Sequence, residues 1–182
     1  MSESIEIRDI RLTDMASEQM TPVMAQSGVS WYNLTITVKN MSDVTPIHVM
    51  SDIRRIHYDA SRRVLLVQLS EHDMPDARRV VGLPMPPRYR VIEPCEEVTL
   101  THPLSSPITF LEELPDGARR PYFVRIAEDV DTIECTVAYD TEPPAPAVDL
   151  TSTKVPEQWR GRGATVTASW KPSREDRLDS SD

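Results

Sequence analysis

Trp31-Tyr32-Asn33-Leu34-Thr35-Ile36-Thr37-Val38-Lys39-Asn40 alternates without a break. Tyr32, Leu34, Ile36 and Val38 fall on one side of an extended chain, and Asn33, Thr35, Thr37 and Lys39 on the other. Side chains of a strand point to opposite faces in turn. A period of two in β-branched and aromatic residues therefore marks a strand with one face on a core and one in water.

Shorter segments of the same kind flank it. Upstream, Ile5 and Ile7 alternate with Glu6 and Arg8, and the phase slips near Asp9 before Ile10 and Leu12. This predicts an edge strand with a bulge or bend. Residues 13–29 are polar and carry Met15, Met20 and Met24, which suit gap-filling under a loop; Pro22 is expected to interrupt any helix there. Downstream, Asn40-Met-Ser-Asp-Val-Thr-Pro reads as a turn. Ile47 and Val49 open an extended piece that Ile53, Ile56 and Tyr58 continue after a phase change. Asp59-Ala-Ser-Arg reads as a hairpin loop, and Val64 to Leu69 as a strand covered on both faces.

Residues 70–90 are rich in charge and include Pro84, Pro86 and Pro87, which suits a long surface connection. Tyr89-Arg-Val-Ile leads into a turn at Glu93-Pro-Cys-Glu. Val98 and Leu100 alternate with polar neighbours, and Pro103 is expected to end that strand. Ile108 to Leu111 precedes Asp116-Gly117, a strong turn dipeptide. Tyr122–Ala127 and Thr132–Asp140, joined by a short polar link, are expected to form an antiparallel hairpin with Cys135 pointing inward.

At Glu142-Pro-Pro-Ala-Pro-Ala the composition shifts to a polyproline-type linker. Beyond it Ala164, Val166, Ala168 and Trp170 alternate with polar residues, and the chain ends in a charged tail. The organisation read from these shifts is a β-sandwich domain over 1–141 and a proline-rich linker and loop over 142–163. An additional strand at 164–170 and a disordered tail over 171–182 follow. Seven to nine short strands about ten residues apart predict an all-β fold. The form expected is an antiparallel immunoglobulin-like β-sandwich with a C-terminal extension; a small β-barrel or jelly roll is the second choice. The strand followed by Asn-x-Ser-Asp-x-x-Pro resembles many immunoglobulin-like bacterial domains, a resemblance of a few residues that implies no function.

With 16 prolines and five glycines in 182 residues, stiff loops are favoured over a helical bundle. The net charge of -9 disfavours nucleic acid and anionic membrane as partners. Arginine pairs at Arg54-Arg55, Arg62-Arg63, Arg78-Arg79 and Arg119-Arg120 suit solvated strand faces. The N-terminus has no basic region followed by an apolar run, so no secretory leader is expected. Cys95 and Cys135 are then read as reduced thiols of a cytoplasmic protein. Asn33-Leu-Thr and Asn40-Met-Ser match the glycosylation pattern and are read as chance matches.

Motifs of catalysis are sparse. His48, His57, His72 and His102 show no metal-ligand spacing, and neither cysteine belongs to a Cys-x-x-Cys pair. Gly-x-Ser-x-Gly and phosphate-cradling patterns are missing. Adjacent acids such as Glu112-Glu113 point to opposite faces of a strand and suit solvated turns better than acid-base dyads. No cofactor is expected.

The expected function is therefore non-enzymatic: a subunit or adaptor working through a protein partner or self-association. Trp159, Arg160, Arg162 and Trp170, of residue types that anchor interfaces, make the C-terminal segment the candidate docking element. Its alternative fate is to fold back on its own sandwich. A second reading is an enzyme or small-ligand binder using His57, Asp59, His72 and Asp73; a third is a structural component of a larger assembly.

Overall fold

A computed structural model describes residues 4–70, 88–142 and 164–171. The alternating stretch forms the middle strand of a three-stranded antiparallel sheet. In chain order, β1 (Ile5–Asp14) and β2 (Ser30–Asn40) are followed by β3 (Ile47–Met50), β4 (Arg55–Asp59) and β5 (Val64–Leu69). Next come β6 (Tyr89–Ile92), β7 (Glu97–Ser106), β8 (Ile108–Glu113), β9 (Arg119–Val124), β10 (Thr132–Asp140) and β11 (Ala164–Trp170). Among the described residues helix is confined to short turns, including α1 (Pro22–Gln26) and α2 (Ile126–Asp129). The protein is all-β.

The first sheet has the order β1-β2-β7; the second has β4-β5-β10-β3-β6, with β11 on the other side of β10. One hydrophobic cluster joins them. The first sheet contributes Ile5, Ile10, Leu34, Ile36, Val38, Leu100 and Leu104, and the second Ile47, Val49, Leu65, Val67, Ile133, Cys135 and Val137 among others. The Leu34-Ile36-Val38 row is fully buried, as the alternation predicts. On the opposite face Thr37 and Thr99 bond hydroxyl to hydroxyl across the strands at 3.1 Å. The register slip in β1 falls between Ile7 and Asp9, and β1 is an edge strand.

Several local expectations are corrected. β9 does not pair with β10. The turn Leu114–Ala118 folds β9 onto β8 instead: the Gly117 amide donates to Leu114 O and the Leu114 amide to Ala118 O, with Gly117 at φ 80°. A turn closed by a left-handed glycine forms locally, whereas one helical turn at Ile126–Asp129 redirects the chain before β10. β10 then lies parallel to β5, so the second sheet is mixed rather than purely antiparallel. Pro103 does not end β7, which continues to Ser106. Among the described residues β7 pairs only with β2, and an edge strand tolerates a residue without an amide hydrogen. Pro22 opens α1, where a missing N–H costs nothing, and Thr21 Oγ1 caps it by accepting from the Met24 amide at 3.3 Å. The long connection expected at residues 70–90 falls mostly outside the described residues.

Two turns hold the ends of the sheets. The fully buried Asn40 donates through Nδ2 to Thr45 O, Ile92 O and Glu93 O at 2.8, 3.0 and 3.3 Å, and Oδ1 accepts from the Ser42 amide at 2.9 Å. Its side chain thus ties β2, the following turn and β6, and a buried, fully used carboxamide is no acceptor for a glycan in the folded chain. In the turn Glu93–Glu96, Pro94 stands before Cys95, whose φ is 62°. That pattern belongs to a type II turn, whose third position favours glycine.

Cys95→Gly removes the left-handed strain of an L-residue and is expected to raise stability by about 0.5–1 kcal/mol after glycine's own entropic cost. Asn40→Ala leaves buried carbonyls without donors and is expected to lower stability by about 2–4 kcal/mol. Denaturant titration of both variants against the parent checks the two signs.

Candidate interaction surface

The loop expected to offer His57 and Asp59 as ligand-binding groups is built for turn formation. Asp59 Oδ1 accepts from the Ser61 amide, the Ser61 hydroxyl and the Arg62 amide at 3.0, 2.7 and 3.2 Å. These bonds, the Ser61 hydroxyl first, hold its carboxyl below the usual value. His57 is exposed on β4, opposite Leu66. His72 and Asp73 lie outside the described residues. Among the described residues no three acids, histidines or cysteines converge as metal ligands.

The same loop is bound to α2 and β10. Arg63, at φ 53°, reaches Asp131 through Nε at 2.8 Å and Glu128 O through Nη2 at 2.6 Å. The Arg63 carbonyl accepts from the amides of Asp131 and Thr132. Tyr58 donates its hydroxyl to Asp129 O at 2.7 Å. This cluster positions the parallel β5–β10 pair.

Of the C-terminal docking residues, Trp159, Arg160 and Arg162 lie outside the described residues. Trp170 closes β11, opposite Ile133, and is half-buried against the shared core with Ala168 and the buried Val166. In the described fold β11 pairs with β10 of its own chain.

A groove of about 330 Å³ lies between β7 and the segment entering β4, lined by Asp52, Ile53, Arg54, Ile56, His102 and Pro103. His102 Nε2 is buried without a hydrogen-bond partner. Burial lowers the His102 pKa, and the negative charge of Asp52 opposes that shift. Composition and spacing could not find this residue, because its setting depends on two segments about fifty positions apart.

Among the described residues the β8–β9 ribbon pairs with neither larger sheet and exposes two large apolar side chains on one face. Ile108, Phe110, Tyr122 and Val124 face the core, with the Phe110 and Tyr122 rings stacked at 5.4 Å. The register places Thr109, Leu111, Pro121 and Phe123 on the other face. There Leu111 is 61% exposed and Phe123 63%. Phe123 also lines a shallow recess of about 540 Å³ with Pro107, Arg120, Tyr122, Arg125 and Glu128. At the tip Arg120 pairs with Glu112 at 3.1 Å, and beyond the base Arg125 pairs with Glu128 at 3.1 Å. Large exposed apolar side chains thus stand on this face, with an ion pair at each end of the ribbon.

Burial makes His102 bind a proton less readily in the fold than in the unfolded chain, where its pKa is near 6.5. Its contribution to stability is thus fully present above pH 6.5 and is lost as pH falls from there toward its folded pKa. Urea midpoints measured between neutral pH and about pH 5 are expected to fall, with the fall reduced in His102→Gln. No protein-family model matches this chain, and neither a curated protein nor a solved structure matches it.

Proposed function

We propose that this chain is an immunoglobulin-like β-sandwich acting in the cytoplasm as a subunit or adaptor, through protein–protein contacts made by the β8–β9 ribbon. The sandwich form is supported by the single cluster shared between the two larger sheets. Two unpaired cysteines, one exposed and one buried, accord with a reducing compartment.

The observation that carries the contact role is the exposure of Leu111 and Phe123 on one face of a ribbon whose other face is anchored to the core. Aromatic and aliphatic side chains held on a rigid two-stranded element lose little entropy on docking, which suits an interface anchor. The C-terminal strand, paired with β10, supports this role indirectly by filling the edge that it would otherwise leave open.

A photo-crosslinking residue at position 123, with another at the more exposed position 23 as control, tests the reading in native extract. A discrete protein adduct from position 123 alone is expected. Adducts from neither position, or equally from both, would remove the ribbon from the interface.

A further inference from the structure

We infer that the outer edge of β10 is a strand-accepting seat and that β11 is exchangeable between copies: β11 of a second copy takes the seat that a chain's own β11 fills, and the exchange is reciprocal. This seat is distinct from the β8–β9 ribbon, and neither depends on the other.

β10 does not need β11 to hold its place in the second sheet. On its other edge it is paired with β5 over Thr132–Val137 and with β3 at Tyr139 and Asp140. β11 runs antiparallel to it from Ile133–Trp170 to Tyr139–Ala164, and pairs with no other strand among the described residues. β11 also lies beside β1 of the first sheet, so the seat is a slot with β10 on one side and β1 on the other. Within β11 only Val166 is buried; Ala168 and Trp170 are half-buried, and Ala164, Thr165, Thr167 and Ser169 are exposed. The shared core retains Ile133, Cys135 and Val137 of β10 when that one buried side chain leaves.

The connection makes no demand that the strand come from the same chain. Tyr139 and Ala164 are paired neighbours, a gap that a hairpin closes with about two to five residues. Residues 141–163 lie between the two strands instead. Fully stretched, that length spans at most about 75 Å, enough to deliver β11 to another copy. What the seat recognises is in the strand itself. Val166 enters the shared core, Ala168 and Trp170 pack against it, and the hydroxyls of Thr136 and Thr167 bond across the pair at 2.8 Å. Every copy carries this segment, and the strand has no charged side chain to oppose its docking on a second copy. Exchange remakes the same contacts, so the two arrangements differ mainly in the tether. A tether of this kind holds its own strand at an effective concentration on the order of millimolar. The chain's own strand therefore wins in dilute solution, and exchange grows as the protein approaches that concentration.

The test titrates a labelled peptide of residues 163–171 into two full chains: the parent, and one carrying both Val166→Asp and Ala168→Asp, which put carboxylates where the strand meets the core. Saturable binding to the variant is expected, with at least tenfold weaker binding to the parent, whose tethered strand competes. A peptide with both aspartates is expected not to bind. Amide hydrogen exchange of β5, which is paired on both edges, reports whether the variant keeps its sheets. A variant that has lost that protection overturns the inference, and so does one that keeps it and binds no peptide. In the parent, the β11 amides bonded to β10 are expected to exchange at least tenfold faster than those of β5; equal rates overturn the inference. Sedimentation of the parent toward millimolar concentration is expected to show a dimer that the two aspartates abolish. A parent that stays monomeric there, with the peptide still bound by the variant, would leave the seat to the strand of a different protein and overturn exchange between copies.

Discussion

The carboxamide of Asn40 is the constraint on which the joining of the two sheets depends. It sits at the end of the most strongly patterned strand, on the side occupied by Leu34, Ile36 and Val38, where a hydrophobic residue would be expected. A buried amide is costly unless all its bonds are made, and here donors and acceptor are all engaged by backbone. Because those backbone groups belong to the turn after β2 and to the end of β6, the amide fixes where the chain leaves the first sheet and where the second begins. Apolar burial alone is non-directional and could not set that junction.

At the opposite end of β10, Arg63 and Tyr58 supply the corresponding fixation. The β4–β5 loop is held to α2 by side chain and main chain together, which lets β10 start in line with β5 and run parallel to it. Parallel neighbours need a long crossover. Here the crossover from β5 to β10 contains β6 to β9, and the β8–β9 ribbon is the part of that excursion not incorporated into a larger sheet. Its exposure follows from the topology.

What the sequence discloses is local. Period two in β2, the phase slip at Asp9, the inward Cys135 and the Asp116-Gly117 turn each depend on neighbours a few residues away, and each is found in the structure. Strand partnership is not local. Tyr122–Val124 and Thr132–Asp140 are close in sequence, yet the choice between pairing with each other and pairing with β8 and β5 is made by turn geometry and by Arg63. The proline rules misled for a related reason: Pro22 and Pro103 break structure only where their missing N–H was needed, which depends on which edge faces a partner. His102 and the outer face of the ribbon were equally hidden, since exposure of Phe123 depends on a face assignment that only the β8–β9 register provides.

The two thiols divide the molecule into an outside and an inside. Cys135 is fully buried, and burial, with Glu134 beside it, pushes its thiol up to about 12, whereas Cys95 stands exposed in a tight turn. Thiolate is the reactive form. Alkylating or spectroscopic labels applied to the native protein will therefore address Cys95 alone. Modification of Cys135 must wait for the sheets to separate, so the second label serves as a clock for opening of the core, placed by the sequence at the centre of β10.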